Sequence, residues 1–317
     1  MIIGLTGSRG FIGSYLLGYV RSRQMGRVRI LVRDGTIAKE DSSIEVVHGD
    51  LRSPNDCSRF TQGLDLILHL AHCNTPVNSD LDQPNDALLN VIPLLNLLRA
   101  IETSQTKPHV VYFSSGGAVY GRGTERIPFR ELDPCQPLSS YGIQKLAAEH
   151  YLRLAAERAH LTCTVLRIGN AYGTLLHHQR MQGLIGVAIN QILQKKAVRV
   201  FGDVNNIRDY VHLDDICTMV EKVARPKEPF TIVNVGSGLG HSVRDVLQEI
   251  QSCVDSPLEI DIVKDSPLGR WLADWVVLDI TKAKTEFGWL PVANLRDGIR
   301  AMVADCQTQI KSAGALA

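Results

Sequence analysis

The sequence lacks the features that define several classes of protein. No apolar run approaches the roughly 18 residues that a membrane span needs, and no repeat or low-complexity segment occurs. Seven cysteines are scattered without a CxxC spacing, which argues against a disulfide framework and a zinc knuckle. With 34 basic and 33 acidic residues the net charge is only +1, so no global field attracts nucleic acid or an anionic membrane. We expect no metal, nucleic acid or membrane as a partner.

The remaining composition is that of an ordinary globular protein. Hydrophobic residues make up 44% and charged residues 21% of the 317 residues, close to the averages of soluble domains. A chain of this length forms one large domain or two joined ones. The first apolar strand begins at the amino terminus and leaves no room for a signal peptide, so we expect a cytoplasmic protein.

Short apolar runs alternate with stretches of helical spacing. The runs predict strands from Ile2 onward and at residues 28–32, 44–47, 66–70, 110–113 and 164–168. Helical spacing predicts helices at 88–102, 140–159, 184–195, 214–224 and 243–253. This alternation predicts an α/β fold, a Rossmann-type doubly wound parallel sheet covered on both faces. Pro93 interrupts the first of these helices, which therefore begins near Ile92 or is kinked there.

The regular alternation breaks after Ile168 into loops that contain glycine and histidine. Such a break predicts that the chain begins a second, smaller α/β domain that faces the substrate. We expect residues 1–168, with 208–235 returning to them, to form the dinucleotide-binding domain. Residues 169–207 and 236–317 then form the substrate-binding domain.

A glycine-rich turn follows the first predicted strand and opens a helix. Gly7, Gly10 and Gly13 allow a tight turn, a close approach of the backbone to a pyrophosphate, and close packing of helix on strand. The amino terminus of the helix then binds the anion. In this context the GxxGxxG pattern predicts dinucleotide binding. The predicted site includes the neighbours of these glycines, Arg9, Phe11 and Ile12.

The residue at the end of the second strand indicates whether the dinucleotide is NAD or NADP. An NAD site usually carries an acidic residue there, whereas an arginine accommodates the 2′-phosphate of NADP. This chain has Arg33 at that position, and Arg9 lies in the glycine turn. Two guanidinium groups favour NADP over NAD. The alternative is that both arginines are solvated and that Asp34 binds the ribose of NAD.

Residues at the ends of the next two strands complete the predicted cofactor site. Asp50 follows the third strand, and we expect it beside the adenine. Leu51, Leu70 and Ala71 are the remaining predicted contacts.

Tyr141 and Lys145 form a YxxxK pattern at the start of a predicted helix. Residues four apart lie on one helix face, so both side chains point the same way. A tyrosine ionises near pH 10, and a neighbouring ammonium together with a bound nicotinamide cation would lower that pKa. We therefore expect Tyr141 to act as an acid or base near neutral pH, with Lys145 beside it.

With these motifs the chain resembles the extended short-chain dehydrogenases/reductases, in the branch of nucleotide-sugar epimerases, dehydratases and reductases. The resemblance covers nearly the whole chain. Three further segments carry it: residues 113–121 (FSSGGAVYG), 167–173 (RIGNAYG) and 208–215 (RDYVHLDD). It implies hydride transfer between a sugar carbon, typically C4, and the nicotinamide. Tyr141 would move the hydroxyl proton, and Lys145 would orient the ribose and the tyrosine.

The chain departs from this family at the third catalytic group. The position that holds a serine or threonine in the family is Gly116 here, and Ser115 is the candidate that supplies the hydroxyl from one position earlier. The alternative is that a main-chain amide or a water replaces it. Dehydratases of this branch carry an acid pair where Gly117 and Ala118 stand, so 4,6-dehydration is not expected.

The resemblance also implies residues that bind the substrate. Asn170 matches an asparagine near the substrate diphosphate, and Arg208 matches an arginine that grips it. Arg270 is a second candidate clamp, or else a solvated surface charge. Ser115 and Gly116 complete the predicted substrate site. His177 and His178 are interpreted as loop residues, because adjacent histidines point apart.

Three functions remain open at this stage. The leading hypothesis is NADPH-dependent reduction of a nucleotide-diphosphate 4-keto-(6-deoxy)hexose, because Arg9 and Arg33 favour a dissociable reductant. The alternative is an NAD-dependent 4-epimerase of the UDP-glucose/galactose type, and a third reading is a non-catalytic dinucleotide sensor. By resemblance we expect a homodimer formed through the helices at 88–102 and 140–159.

Overall fold

The structure is a computed structural model, and it describes residues 1–33, 43–74, 79–123, 125–175, 183–254, 257–263 and 273–314. The chain divides into two compact units. The first consists of Met1–Val119, Ser139–Arg167 and Cys217–Val233. The second consists of Tyr120–Leu138, Ile168–Ile216 and Asn234–Ala317.

Thirteen strands and ten helices occur among the described residues. The strands are β1 (Ile2–Thr6), β2 (Arg27–Val32), β3 (Ile44–His48), β4 (Leu66–His69), β5 (His109–Ser115), β6 (Cys163–Ile168), β7 (Asn170–Tyr172), β8 (Val198–Phe201), β9 (Ile207–His212), β10 (Phe230–Val235), β11 (Gly240–Ser242), β12 (Ile260–Val263) and β13 (Trp275–Val276). The helices are α1 (Phe11–Ser22), α2 (Pro54–Thr61), α3 (Gln83–Thr103), α4 (Gly116–Val119), α5 (Ser140–Ala159), α6 (Leu184–Leu193), α7 (Leu213–Val223), α8 (Val243–Ser252), α9 (Thr281–Phe287) and α10 (Leu295–Gly314).

A seven-stranded sheet forms the framework of the first unit. Its strand order is β3-β2-β1-β4-β5-β6-β10, and β1 pairs in parallel with β2 on one side and β4 on the other. The centre strands are mostly apolar and buried, as β4 shows with four buried residues in succession. Such strands are stable only when helices cover both faces. The predicted doubly wound parallel sheet is confirmed.

Helices α3 and α5 bury their apolar faces in the core of this unit. Leu94, Leu97 and Leu98 of α3 lie in one hydrophobic cluster with Ala148 and Leu152 of α5. The two helices therefore share one close-packed apolar core.

Helix α3 begins earlier than the sequence predicts. It starts at Gln83, where the Asp82 side chain accepts a hydrogen bond from the Asn85 amide at 3.2 Å and caps the helix. Pro93 lies inside the helix and is buried. The prediction that the helix could begin near Ile92 is wrong. Burial of Pro93 and the leucines that follow offsets the cost of about 3 kcal/mol that an interior proline imposes.

The second unit has its own sheets and core. Strand β9 lies between β11 and β13 and also pairs with β7, while β12 pairs with β8. A separate cluster includes Ile189 of α6, Leu247 of α8 and Ile299 of α10. The buried carboxylate of Asp209 ties this unit together, because it accepts hydrogen bonds from main-chain amides of Ser237, Gly238 and Leu278 at 2.6, 3.1 and 3.2 Å.

Two segments belong to a different unit from the one predicted. Residues 120–138 group with the second unit, where Phe129 pairs with Leu278 and the Tyr120 hydroxyl donates to Asn234 at 2.7 Å. Residues 208–216 join the same unit because β9 is hydrogen-bonded there on both edges. Both assignments depend on contacts between residues far apart in sequence.

Among the residues described, no helix combines the length and the apolar character that crossing a membrane requires.

Candidate active site

The glycine turn connects β1 to α1 and is folded as tightly as the sequence predicts. The Gly10 amide donates to the Gly7 carbonyl at 2.9 Å, and Gly7 has a φ of 73°. A Cβ at Gly13 would lie 2.1 Å from the Gly7 oxygen, and one at Gly7 would lie 2.7 Å from the Ala71 nitrogen. Only glycine fits at these positions, so the turn lies directly against Leu70 and Ala71, which follow β4.

The amino terminus of α1 suits an anion. Gly10 caps the helix without a side chain, and the first turn carries no acidic residue. Its amides and the positive end of the helix dipole therefore meet no carboxylate from that turn. Phe11 and Ile12 are half-buried in this turn, while Arg9 is exposed and makes interactions of its own. The residues present fit the pyrophosphate of a dinucleotide.

Arginines lie at the ends of the next two strands. Arg33 follows β2, is exposed, and points its Nη1 at the Cys73 sulfur, 3.9 Å away. Asp50 follows β3 and accepts two hydrogen bonds from the Arg52 guanidinium, at 3.1 and 2.8 Å. The hydrogen bond from Arg52 holds the pKa of Asp50 below its usual value, and the charge of Arg33 adds to this. Asp34 lies outside the described residues.

The side chain of Leu51 does not face this edge of the sheet. It is buried in the hydrophobic core, and the Leu51 carbonyl accepts a hydrogen bond from Asn96 at 3.0 Å. Leu70 and Ala71 are half-buried, and the Ala71 amide donates to the Thr6 hydroxyl at 3.3 Å. Leu51 is therefore a predicted cofactor contact whose side chain packs in the core instead.

Tyr141, Lys145 and Ser115 lie together at the carboxyl end of β5. Tyr141 and Lys145 are one turn apart at the start of α5, which Ser139 caps through a 3.2 Å hydrogen bond from the Gly142 amide. The Lys145 ammonium donates to the Phe113 carbonyl at 2.8 Å and lies 5.6 Å from the centre of the Tyr141 ring. A hydrogen bond joins the side chains of Ser115 and Tyr141. Gly116, the first residue of α4, has no hydroxyl. Ser115 therefore provides the hydroxyl that lies beside the phenol of Tyr141.

Burial dominates the protonation of the pair. It raises the pKa of Tyr141 to about 12, against a smaller lowering by the hydrogen bond with Ser115. Burial also lowers the pKa of Lys145 to about 7, although the nearby Glu149 carboxylate acts in the opposite direction. The expectation that an adjacent ammonium lowers the pKa of Tyr141 is therefore not met by Lys145 alone, because this amine is only partly charged near pH 7.

A buried ion pair lies behind Lys145. Glu149 and Arg167 are 2.6 Å apart, and both side chains are almost fully buried. The Ser114 hydroxyl donates to the same carboxylate at 2.5 Å. A buried pair is tolerated when further hydrogen bonds satisfy it. The pair is placed one helical turn from Lys145 and links α5 to β5 and β6.

His72 also contacts the candidate catalytic group. Its ring meets the Tyr141 ring edge to face, with centroids 4.9 Å apart. Burial, with the charge of Lys145 as a smaller cause, holds the pKa of His72 well below its usual value. A neutral imidazole therefore forms one wall beside the phenol.

Two of the predicted substrate residues, Asn170 and Arg208, lie in the second unit, whereas Ser115 and Gly116 lie in the first. Asn170 begins β7, and its side chain hydrogen-bonds that of Tyr210. Arg208 lies on β9, where its guanidinium donates to the main-chain carbonyls of Ile207 and Ala273. Burial lowers the pKa of Arg208 from its usual value. Arg270, His177 and His178 lie outside the described residues.

Several residues around Tyr141 are not predicted from the sequence. They are His72, Asn74, Asp86, Asn90, Ser140, Gln144, Glu149 and Arg167. A signal was present for two pairs, because Asp86 and Asn90, like Ser140 and Gln144, are polar residues spaced by four on otherwise apolar helix faces. Buried polar residues in such a pattern need partners. The described residues contain no group of three or more side chains suited to hold a metal ion.

The fold and these residues define a dinucleotide-dependent enzyme of the short-chain dehydrogenase/reductase type. The sequence model of the NAD dependent epimerase/dehydratase family matches residues 3–236. The chain therefore belongs to the NAD-dependent epimerase/dehydratase family.

Relatives with different reactions are similar to this chain to the same degree. The dTDP-4-dehydro-6-deoxyglucose reductase of Escherichia coli is 27% identical over 311 residues, covering 94% of this chain and 95% of the relative. A UDP-glucose 4-epimerase of Mycolicibacterium smegmatis is 28% identical over 310 residues, covering 94% and 96%. The crystal structure of a UDP-glucose 4-epimerase of Thermotoga maritima with UDP-glucose has a TM-score of 0.89 and 26% identity, covering 98% and 100%.

The burial of Lys145 predicts a pH dependence of stability. Its pKa is about 7 in the folded protein and 10.5 ordinarily, so between these values the unfolded chain binds a proton that the folded chain does not. Stability then rises with pH across this window. In cofactor-free protein, the free energy of unfolding of wild type relative to Lys145→Met should increase by about 3 kcal/mol from pH 7 to 9.5. Urea unfolding at both pH values measures this.

An exposed lysine provides the control. Lys284 lies on α9, and Lys284→Met should leave the pH dependence of wild type unchanged. Parallel pH curves for wild type and Lys145→Met would show that Lys145 keeps its ordinary pKa.

Proposed function

We propose that this protein interconverts a hydroxyl and a keto group at C4 of a nucleotide-diphosphate sugar with an NAD(P) cofactor. The observation that carries the proposal is the grouping of Tyr141, Lys145 and Ser115 in the unit that also contains the glycine turn. The turn, with Gly7, Gly10, Gly13 and the first amides of α1, would hold the pyrophosphate. Leu70, Ala71 and Asp50, with main-chain groups of Leu51, would complete the adenosine side.

The nicotinamide, when bound, supplies the exchange of hydride with the sugar carbon. The chain's own residues handle the proton. Tyr141 has a pKa of about 12 and holds its proton at neutral pH, so the phenol is suited to protonate an oxygen that gains negative charge. Ser115 would hydrogen-bond the same oxygen, and Lys145 would orient the ribose and the phenol.

The second unit would bind the rest of the substrate. The Arg208 guanidinium donates to the main-chain carbonyls of Ile207 and Ala273, and a planar fork of this kind fits phosphate oxygens. Asn170 would approach the same diphosphate, with Gly116 near the sugar and Arg270 as a second clamp. These assignments follow the family resemblance residue by residue.

Net reduction of a nucleotide-diphosphate 4-keto-(6-deoxy)hexose by NADPH is the favoured direction. Arg33 at the end of β2 and Arg9 in the glycine turn suit a 2′-phosphate, and NADPH is a dissociable reductant. A proton-holding Tyr141 suits the same direction. The reductase of Escherichia coli is a relative with this type of reaction.

Whether the purified protein retains a cofactor distinguishes net reduction from epimerisation. The similarity to the epimerases of Mycolicibacterium smegmatis and Thermotoga maritima supports epimerisation. We expect purified protein to oxidise NADPH with a nucleotide-diphosphate 4-keto-sugar, and Tyr141→Phe to lower kcat by at least about 100-fold because it removes the proton donor. The measurement is NADPH absorbance over a panel of UDP-, GDP- and dTDP-linked sugars.

Three outcomes would contradict the favoured direction or the proposal. Firmly retained NAD with interconversion of sugar epimers and no net NADPH oxidation identifies an epimerase. Binding of cofactor without turnover of any sugar identifies a sensor. Unchanged turnover in Tyr141→Phe removes the catalytic assignment, and Tyr19→Phe on α1, a tyrosine that contacts Arg23, serves as the matched control.

The preference for NADPH should depend on Arg33. Replacing the guanidinium by Arg33→Ser removes a charge-assisted hydrogen bond to the 2′-phosphate, worth about 1.5 to 3 kcal/mol. We expect the ratio of kcat/KM for NADPH over NADH to fall by about 10- to 100-fold. Arg27 is exposed at the opposite end of the same strand, so Arg27→Ser should leave the ratio unchanged. An unaltered ratio in Arg33→Ser would assign the arginine to solvent.

We further propose a homodimer through one face of α3 and α5. Exposed apolar side chains line this α3–α5 face, with Leu88 and Ile92 on α3 and Ile143, Tyr151 and Leu154 on α5. A groove between the two helices is lined by Leu95, Leu98, Arg99, Glu102, Tyr151, Leu154, Ala155, Arg158 and Ala159. The α3–α5 face is therefore apolar and carries Arg99, Glu102 and Arg158. A face of this kind can complement a second copy of itself about a twofold axis.

A charge placed in the α3–α5 face should separate the dimer. Leu154→Asp buries a carboxylate in the proposed interface, and the mass measured by light scattering should fall from that of two chains to that of one 35.0 kDa chain. Leu132 is 96% exposed in the second unit, so Leu132→Asp is the control that keeps the mass. A single-chain mass for wild type would refute the dimer.

A further inference from the structure

A fully buried carboxylate lies beside the proposed catalytic pair. Asp86, in the first turn of α3, has no exposed surface and accepts hydrogen bonds from four side chains. Asn74 and Asn90 donate to its Oδ1, the latter at 2.8 Å. The Ser140 hydroxyl, at 2.9 Å, and the Gln144 amide donate to its Oδ2.

The donors come from the segments that surround Tyr141. Ser140 immediately precedes Tyr141, and Gln144 immediately precedes Lys145 on α5. Asn74 belongs to the loop after β4. The two oxygens of Asp86 therefore bind different segments of the chain. Oδ2 accepts hydrogen bonds from α5, and Oδ1 accepts one from the loop.

The loop is fixed a second time through Asn90. Its amide nitrogen donates to Asp86, and its Oδ1 accepts the main-chain amide of Cys73 at 2.7 Å. The preceding residue, His72, carries the ring that contacts the Tyr141 ring. Asp86 thus links the two surfaces that meet at the phenol.

The apolar surroundings of Asp86 and its four donors bear on the register of α5 against α3. The hydrophobic cluster that α3 and α5 share is made largely of leucines and alanines, and apolar contacts of this kind tolerate more than one arrangement. A buried carboxylate, by contrast, is costly unless every lone pair has a donor. Sliding α5 by one residue turns its side chains by about 100° and removes the Ser140 and Gln144 donors together.

We propose that Asp86 is the positioning residue of the site, which sets the register of α5 and of the loop carrying His72 so that Tyr141 and Lys145 face Ser115. This inference rests on the proposed function for its kinetic part only. It assigns to Asp86 an action through Ser140, Gln144 and Asn74, and no contact with substrate or cofactor.

A reciprocal exchange across the hydrogen bond tests the proposal. Asp86→Asn keeps Oδ1 but removes the charge and turns the α5 side of the group into a donor, so Gln144 must turn its amide to bring its Oε1, which has no hydrogen-bond partner among the described residues of wild type, to face it. Gln144→Glu sets two carboxylates against each other. The double variant restores one donor and one acceptor, with Ser140 able to bond both. We expect each single variant to lose at least about tenfold in kcat, with the KM for cofactor within about threefold, and the double variant to recover to within about threefold of wild type.

Ionisation of Tyr141 gives a readout that needs no cofactor or substrate. The phenol is surrounded by Ser115, His72 and Lys145, and its pKa is about 12. The ultraviolet absorbance change on ionisation, taken as the difference between each variant and its Tyr141→Phe partner, should stay absent up to pH 11 in wild type and the double variant. In the single variants it should appear near pH 10, the value of an exposed phenol.

A buried carboxylate in the second unit controls for general damage. Asp215 accepts the amides of Val292 and Ala293 at 2.8 and 3.1 Å, and Asp215→Asn should lower the melting temperature while leaving the Tyr141 ionisation unchanged. Additive losses in the double variant, or wild-type kcat and ionisation in Asp86→Asn, would overturn the inference. If one single variant does not fold, the double variant is compared with the other single variant. Recovery of kcat and of the wild-type Tyr141 ionisation in the double variant then supports the inference, and lack of recovery overturns it. Absence of turnover in wild type refutes the proposed function, and the ionisation series still decides the role of Asp86.

Discussion

The burial of the Lys145 amine is the constraint on which the rest of the site depends. Only 4% of this residue is exposed, and an amine in such a place must be held by fixed acceptors or lose its charge. The Phe113 carbonyl and the ring of Tyr112, 4.8 Å away, hold it on the sheet side. The Glu149 carboxylate, itself neutralised by Arg167, supplies a weak attraction from the helix side. The end of β5 and the first turns of α5 must therefore stay in one relative position.

That requirement explains why polar residues occur in an interface of leucines and alanines. Hydrophobic contacts between α3 and α5 supply attraction but little choice of register. The Asp86 cluster supplies the choice, because its donors are satisfied in one arrangement only. The Asp82 cap extends α3 far enough toward its amino terminus to carry Asp86. The early start of this helix is therefore tied to the site.

The features that sequence reasoning predicts are those encoded by neighbouring residues. The glycine turn, the strand–helix alternation and the shared face of Tyr141 and Lys145 all depend on spacing within a few residues. The hydrogen bonds to Asp86, in contrast, form only where polar pairs on two different helices meet. The pairing of Phe129 with Leu278 joins residues about 150 positions apart. Propensity also failed at Pro93, where tertiary burial outweighs the local cost of the proline. Long-range contacts of this kind have no local signature.

The electrostatics of Tyr141 and Lys145 bear on the direction of the reaction. In the surroundings described, burial keeps the proton on the phenol and leaves the amine only partly charged near pH 7. A site in this state gives a proton readily to a developing oxyanion and takes one from an alcohol only with difficulty. A positive charge placed beside the phenol lowers its pKa, whereas a neutral group does not. This protonated state fits the proposed reduction, and the opposite step, in which the phenol takes a proton from an alcohol, would need a positive charge such as that of an oxidised nicotinamide beside it.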